Sequence, residues 1–391
     1  MVYRLNTPCQ IVVKSILTFL SILILISPVG AQDLIDKIED LTEKVTENME
    51  DTSSKPSFLI YPTIAYTPET SWEFGVSNLF LFYAKNSKKN RLSEINTFTF
   101  YTLQQQYGIW LDHAIYGNKD KYIFLGKARF QYFPLKYYGI GENAKEGDEV
   151  IVSSQNFQLR ERVLKKVKGH LFAGIVFDYH TLYNVRFENT NLADSLKPLG
   201  YQGSSNKGLG LGVVYDNRRN VLNERNGLFA EVAYLNYGRY IGSSYPFQNI
   251  NVDARYFRKG YRKKQVWAFQ VTGQFNFGDI PFNQLALLGG ESMMRGYYLG
   301  RYRDKNLIAA QAEYRFLPFP FSKRWGGALF LATGNVSNKV AEIHIDKFKL
   351  AGGMGVRYFI FRTKDIFVRL DLAFTEESAF PGIYFFIGEA F

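Results

Sequence analysis

The 391-residue chain predicts an all-β fold: a sixteen-stranded antiparallel transmembrane β-barrel preceded by a short N-terminal amphipathic helix. Three observations point there. Thirty-four Phe and 27 Tyr coexist with a mean hydropathy near zero, so the apolar residues must be interleaved with polar ones. From Ser57 onward that interleaving has period two over stretches of about nine to twelve residues, the dyad pattern of strands with a lipid face and a polar lumen face. The connections between those stretches then alternate between short and long. A helical membrane protein is excluded, since it needs runs of about 20 apolar residues. After residue 31 the longest uncharged run, Ile95 to Leu111, contains three consecutive Gln.

Residues 1–31 read as a secretory leader. Arg4 and Lys14 form a positive start, Ile16 to Ile26 an apolar stretch too short to span a bilayer, and Val29-Gly30-Ala31 a small-residue cleavage signal. The single cysteine, Cys9, leaves with it, so the mature chain is expected to have no disulfide and no thiol chemistry. Residues 32–56 form an acidic segment in which Leu34, Ile35, Ile38, Leu41, Val45 and Met49 recur at helical spacing among acids. It is too short to fold alone, so it either docks on the barrel or acts as a tether.

Residues 57–391 are the predicted barrel. Ile366 to Leu372 places Ile, Val and two Leu on one face and Phe367, Arg369 and Asp371 on the other. Ile250–Phe257 and Val266–Phe275 alternate in the same way. A soluble sandwich would use shorter strands of about five or six residues. The predicted strands are 57–66, 72–83, 92–103, 106–116, 121–132, 150–163, 169–180, 208–216, 227–237, 247–258, 265–276, 306–316, 325–333, 348–360, 365–374 and 382–391. Their even number puts both ends of the barrel on one side, the periplasmic one. Short turns then fall on that side, and the long segments 133–149, 181–207, 277–305 and 334–347 all fall on the outer side.

Four motifs are more specific. Leu288-Gly289-Gly290-Glu291-Ser292-Met293-Met294-Arg295-Gly296-Tyr297 runs on through Arg301–Asn306 into Ala312-Glu313-Tyr314-Arg315-Phe316. Tyr215-Asp216-Asn217-Arg218-Arg219 precedes Asn226-Gly227, Gly327–Gly334 forms a glycine-bounded strand, and the chain ends Ile383–Phe391. In this order they resemble the bacterial surface antigen family, the BamA/TamA-type outer-membrane assembly and translocation barrels, over about residues 57–391. The resemblance implies that the loop after the eleventh strand enters the lumen, where Arg295, Gly296 and Tyr297 lie and Arg295 pairs with Glu313. The family's second acid, on the thirteenth strand, is replaced here by Ala332, so Arg295 is expected to keep one partner. Phe385, Ile387, Gly388 and Phe391 match the family's C-terminal insertion signal. Family members that handle proteins generally carry periplasmic POTRA domains, and 25 residues cannot hold one. The resemblance therefore implies a barrel-only branch that helps insert or translocate protein or lipid, with accessory proteins as partners and the barrel-assembly machinery needed for its own insertion.

Charge divides the chain. The leader carries +2 and residues 32–56 carry −5, three basic against eight acidic, which leaves +14 of the net +11 on the barrel. Much of it falls in predicted periplasmic turns, most densely at Arg258, Lys259, Arg262, Lys263 and Lys264. A basic rim attracts anionic lipid headgroups or an acidic partner, including the chain's own acidic helix. Nucleic acid is not expected despite the high pI, because a secreted barrel does not meet it. Neither a G-x-S-x-G elbow nor H-E-x-x-H occurs, no cofactor or metal is expected, and the chain is read as a non-enzyme. The one arrangement suggesting acid–base chemistry is Asp178 with His180, two apart on one face of the seventh strand. A passive pore and a surface-exposed binding barrel remain as alternatives.

Overall fold

A computed structural model describes residues 55–144, 147, 149–188, 197–218, 224–262, 264–361, 366–378 and 381–391. The leader and the acidic segment up to residue 54 lie outside them, as does Lys263.

Sixteen antiparallel strands form the wall. They are β1 Ser57–Thr67, β2 Ser71–Tyr83, β3 Leu92–Thr102, β4 Tyr107–Tyr116, β5 Tyr122–Tyr132 and β6 Val150–Lys168. Next come β7 Leu171–Phe187, β8 Ser204–Asp216, β9 Gly227–Tyr237, β10 Phe247–Lys259 and β11 Gln265–Gly278. The last five are β12 Asn306–Phe316, β13 Trp325–Ser337, β14 Lys349–Phe361, β15 Ile366–Thr375 and β16 Gly382–Ile387. Each strand pairs with its sequence neighbours, and β1 pairs with β16 to close the barrel.

Alternation sorts the side chains. Ile109, Ile175, Leu211, Val232, Val271 and Leu331 are exposed on the outer face. Along β12, Gln311, Glu313 and Arg315 are buried on the lumen face, as are Phe367, Arg369 and Asp371 along β15. Strand ends differ from the sequence expectation most at β6, which runs on to Lys168 at the short-turn end, and at β7, which runs on to Phe187 at the outer end. β6 has 19 residues and β7 has 17, well beyond the roughly 9–11 that span a bilayer. Their outer ends pair with each other, and a short strand Leu135–Tyr137 adds to β6 there. An apolar cluster of Tyr137, Val152, Leu182 and Phe282 holds this extension against the loop 279–305.

The closing seam differs from every other pairing in the wall. Its register holds one pair, Tyr66 with Phe385, whereas β1 and β2 match along eleven. On its side, β16 was expected to run to residue 391 and stops at Ile387. Gly388 adopts φ +82°, a left-handed conformation natural to glycine, and turns the chain inward. Glu389 then reaches Arg357 at 2.9 Å, and the Phe391 ring stacks on Phe257 with centroids 6.2 Å apart. Of the four residues matched to the insertion signal, Phe385 and Ile387 therefore stay in the wall while Phe391 faces the lumen.

Candidate functional site: an arginine network under the lumen loop

Residues 279–305 leave the rim and fill the lumen against the wall of β12, β13 and β14. A short hairpin, Ala286–Leu288 with Tyr302–Asp304, forms the base of this loop. Its apolar side chains Leu288, Met294, Tyr297 and Tyr302 pack on Leu307, Ala309, Ala332, Val336 and Ala351. The wall is small-residued under the loop, and Ala332 belongs to that apolar floor.

The tip presents Arg295, 1% exposed, to the wall. Gly296 beside it has φ +105°, and a Cβ there would lie 2.6 Å from Thr375 Cγ2, so both the backbone and the space demand glycine. Arg295 has two acidic partners, not the single one expected: Nη2 donates to Glu313, and Nη1 donates to Asp371 Oδ2 at 2.6 Å. With alanine at position 332, the second carboxylate comes from β15 instead of β13. The guanidinium also lies 3.7 Å from the centre of the Phe330 ring.

Around this contact the buried charges form a network. Arg315 Nε donates to Glu313 Oε2 at 2.7 Å, and Arg357 bridges Asp371 Oδ1 and Glu389 Oε2. Arg369 Nη1 donates to Asp371 Oδ2 at 3.1 Å and its Nη2 to the Glu291 carbonyl at 3.2 Å. Four arginines thus share three carboxylates, and Asp371 serves three of the four. Buried ions of one sign cannot persist without such pairing, because each carries a desolvation cost of several kcal/mol. The network ties the loop tip, the β12, β14 and β15 walls, and the inturned C-terminal tail into one unit.

The loop also spans the seam from inside. Gly296 N–H donates to Tyr384 Oη on β16 at 2.9 Å, and Leu299 N–H donates to Glu69 Oε1 in the β1–β2 turn at 2.6 Å. Each side of the weakest pairing in the wall is therefore held by the same segment. Further out, Tyr302 Oη bonds to Glu377, and Arg301 contacts Glu377 at 3.2 Å. The β5–β6 connection closes over the top, where Gly141 N–H donates to the Arg303 carbonyl at 2.8 Å. Out here Lys136 hydrogen bonds to Glu149 and lowers that carboxyl's pKa, while Glu142 hydrogen bonds to Lys347 and raises that ammonium's.

The expected basic rim divides. Arg258, Lys259, Arg262 and Lys264 are exposed on the short-turn end. Three other turn arginines face inward instead. Arg91 and Arg218 both bind Asp216, at 2.6 and 3.0 Å, and Arg324 donates to the carbonyls of Phe359 and Ile360. Asp178 and His180 are both buried on the lumen face, and Asp178 Oδ2 accepts from Tyr237 Oη at 2.9 Å.

The Omp85 superfamily domain matches residues 95–391. The chain belongs to the Omp85 superfamily. Among solved structures, this Omp85 barrel is similar to BamA from Haemophilus ducreyi lacking POTRA domains 1–3, with a TM-score of 0.56 and 12% identity over 86% of this chain and 70% of that one. It is similar to CdiB from Acinetobacter baumannii with a TM-score of 0.54 and 11% identity, over 86% of this chain and 66% of that one. At such identities the likeness is one of fold. No curated protein matches the chain. An Omp85 barrel of this kind is a bacterial outer-membrane protein.

Proposed function

We propose that this Omp85 barrel helps insert or translocate polypeptide at the outer membrane, using the β1–β16 seam as the place of entry and the lumen loop as its internal strap. The single bridge at Tyr66 and Phe385 carries the reading. Elsewhere in the wall neighbouring strands share long registers, and in lipid an unpaired backbone N–H or C=O costs several kcal/mol. A short terminal strand beside an eleven-residue β1 leaves edge groups that another strand can satisfy. The exposed basic residues at 258, 259, 262 and 264 suit anionic headgroups, an accessory protein, or the acidic segment at 32–56.

A steady pore is the less favoured reading, since Met294, Arg295 and Tyr297 are buried in the lumen instead of lining a channel. Depletion of the protein followed by an outer-membrane proteome tests the proposal. Selective loss of barrel or surface proteins is expected, and an unchanged profile would sink it. Bilayer recordings provide the second arm: little steady conductance from the intact barrel, and more when residues 289–300 are deleted.

A further inference from the structure

On the β5–β7 side of the lumen lies a cavity of about 470 Å³. Loop residues Phe282 to Leu285 and the 135–137 strand line its outer end, and Lys127, Arg160 and Asp178 line its other end. Its size falls within the range of about 300–1,000 Å³ used for small ligands. Asn156, Gln158 and Arg160 alternate on β6, facing the cavity beside Asp178 and His180 on β7, with Gln158 opposite His180 and Arg160 opposite Asp178.

These groups are not used up by one another. Asn156 Oδ1, Arg160 Nε, Asp178 Oδ1 and His180 Nε2 are buried with no hydrogen-bond partner among the described residues, although Asp178 is only 3% and His180 only 8% exposed. Lys127 stands directly opposite Arg160 in register, an unfavourable like-charge pair. The acid on its other side, Asp112, accepts at both carboxylate oxygens from Arg129 Nη2, each at 2.7 Å. A second lumen cavity of about 340 Å³, nearer the short-turn end, pairs Arg162 with Glu231 at 2.5 Å and Arg255 with Asp253 at 2.6 Å, while His113 Nδ1, Tyr116 Oη and Glu231 Oε1 on its wall have no hydrogen-bond partner among the described residues. What sets the first cavity apart is that its open groups sit side by side on β6 and β7, next to the like-charged Lys127 and Arg160, and this cluster is free to meet something outside the chain.

The donors and acceptors specify what that is. Amides, a carboxylate and an imidazole on adjacent strands can bond to neighbouring hydroxyls. Tyr237 and Phe247, stacked with centroids 4.1 Å apart, give the same cavity an aromatic wall suited to C–H faces. Gly208 makes this possible, since a Cβ there would lie 2.6 Å from the Tyr237 ring. Lys127 and Arg160 against Asp178 leave a local positive charge. We infer that this cavity binds a water-borne saccharide carrying an anionic group, with hydroxyls on Asn156, Gln158, Asp178 and His180 and the anion on Lys127 and Arg160.

The test is calorimetric titration of the folded barrel in detergent with three probes: glucose 6-phosphate, glucose and inorganic phosphate. Glucose 6-phosphate should bind at least about tenfold more tightly than either of the others, about 1.4 kcal/mol. Arg160→Gln should abolish its advantage over glucose, and Gln158→Leu should weaken both sugars. Heat-modifiable electrophoretic mobility shows that each variant is folded, and Lys127→Gln replaces Arg160→Gln if the latter is not. Phosphate binding as tightly as glucose 6-phosphate would overturn the saccharide assignment. So would affinities unmoved by these variants, or no binding by any probe.

Discussion

The two sides of the lumen handle buried polarity in opposite ways. On the β12–β15 side, each of four arginines bonds to at least one of three shared carboxylates, and the loop is clamped by them. On the β5–β7 side, a comparable density of polar groups faces space, with Asp178 Oδ1, His180 Nε2 and Arg160 Nε unmatched. Both arise from the same alternating pattern on neighbouring strands. Alternation therefore settles which face is polar, and only the arrival of the loop decides whether those polar groups become structure or remain available.

The contrast can be broken by experiment. Asp371→Ala should have the largest effect, because it removes the carboxylate shared by Arg295, Arg357 and Arg369 and leaves buried cations in excess. A loss of about 3–5 kcal/mol is expected in reversible unfolding of the barrel in lipid. Glu313→Ala should follow, since it takes a carboxylate from two arginines instead of three and leaves Arg295 with Asp371 alone, and limited proteolysis of the intact barrel should then cut within 279–305. Unchanged protease resistance would mean that the loop is held by apolar packing alone. Gly296→Ala should cost about 1–3 kcal/mol through its positive φ and its approach to Thr375. Adding Thr375→Ala should recover only part of that, the space and not the backbone strain. Tyr384→Phe removes the acceptor for Gly296 N–H and should cost about 1–3 kcal/mol, read in the same unfolding series. Gln158→Leu, on the opposite side, should move stability by no more than about 0.5 kcal/mol. A loss there matching that of Asp371→Ala would erase the distinction between the two sides.

Much of the wall was legible from period-two alternation, and the sixteen strands stand where it put them. The misplaced boundaries have local causes: β16 ends early because Gly388 turns and Glu389 is drawn to Arg357, β7 extends outward by pairing with the outer end of β6, and β6 extends inward because Lys165, Lys166 and Lys168 pair with the start of β7. The family motif pointed to Arg295 and Glu313. Asp371 could be placed on a lumen face from its neighbours, but nothing in the run Ile366–Leu372 says that β15 meets a loop arriving from β11. Ala332 alone suggested a missing partner, since the sequence cannot show that an alanine floor and a displaced acid compensate each other. The inward arginines were nearer to hand. Asp216 and Arg218, two apart and so on one face, already formed a pair within a motif that was read for its family likeness.

The two strap bonds have a consequence for signalling across the membrane. Gly296 reaches β16 and Leu299 reaches the β1–β2 turn, so a rearrangement that parts the seam must alter bonds made by the loop. Any molecule that binds the outer surface of 279–305 more tightly in one arrangement shifts the other by the same factor. An antibody fragment or surface ligand bound outside the cell would then act as a remote control on an opening that faces lipid. In return, a chain lodged in the seam would change how strongly that outside ligand is held.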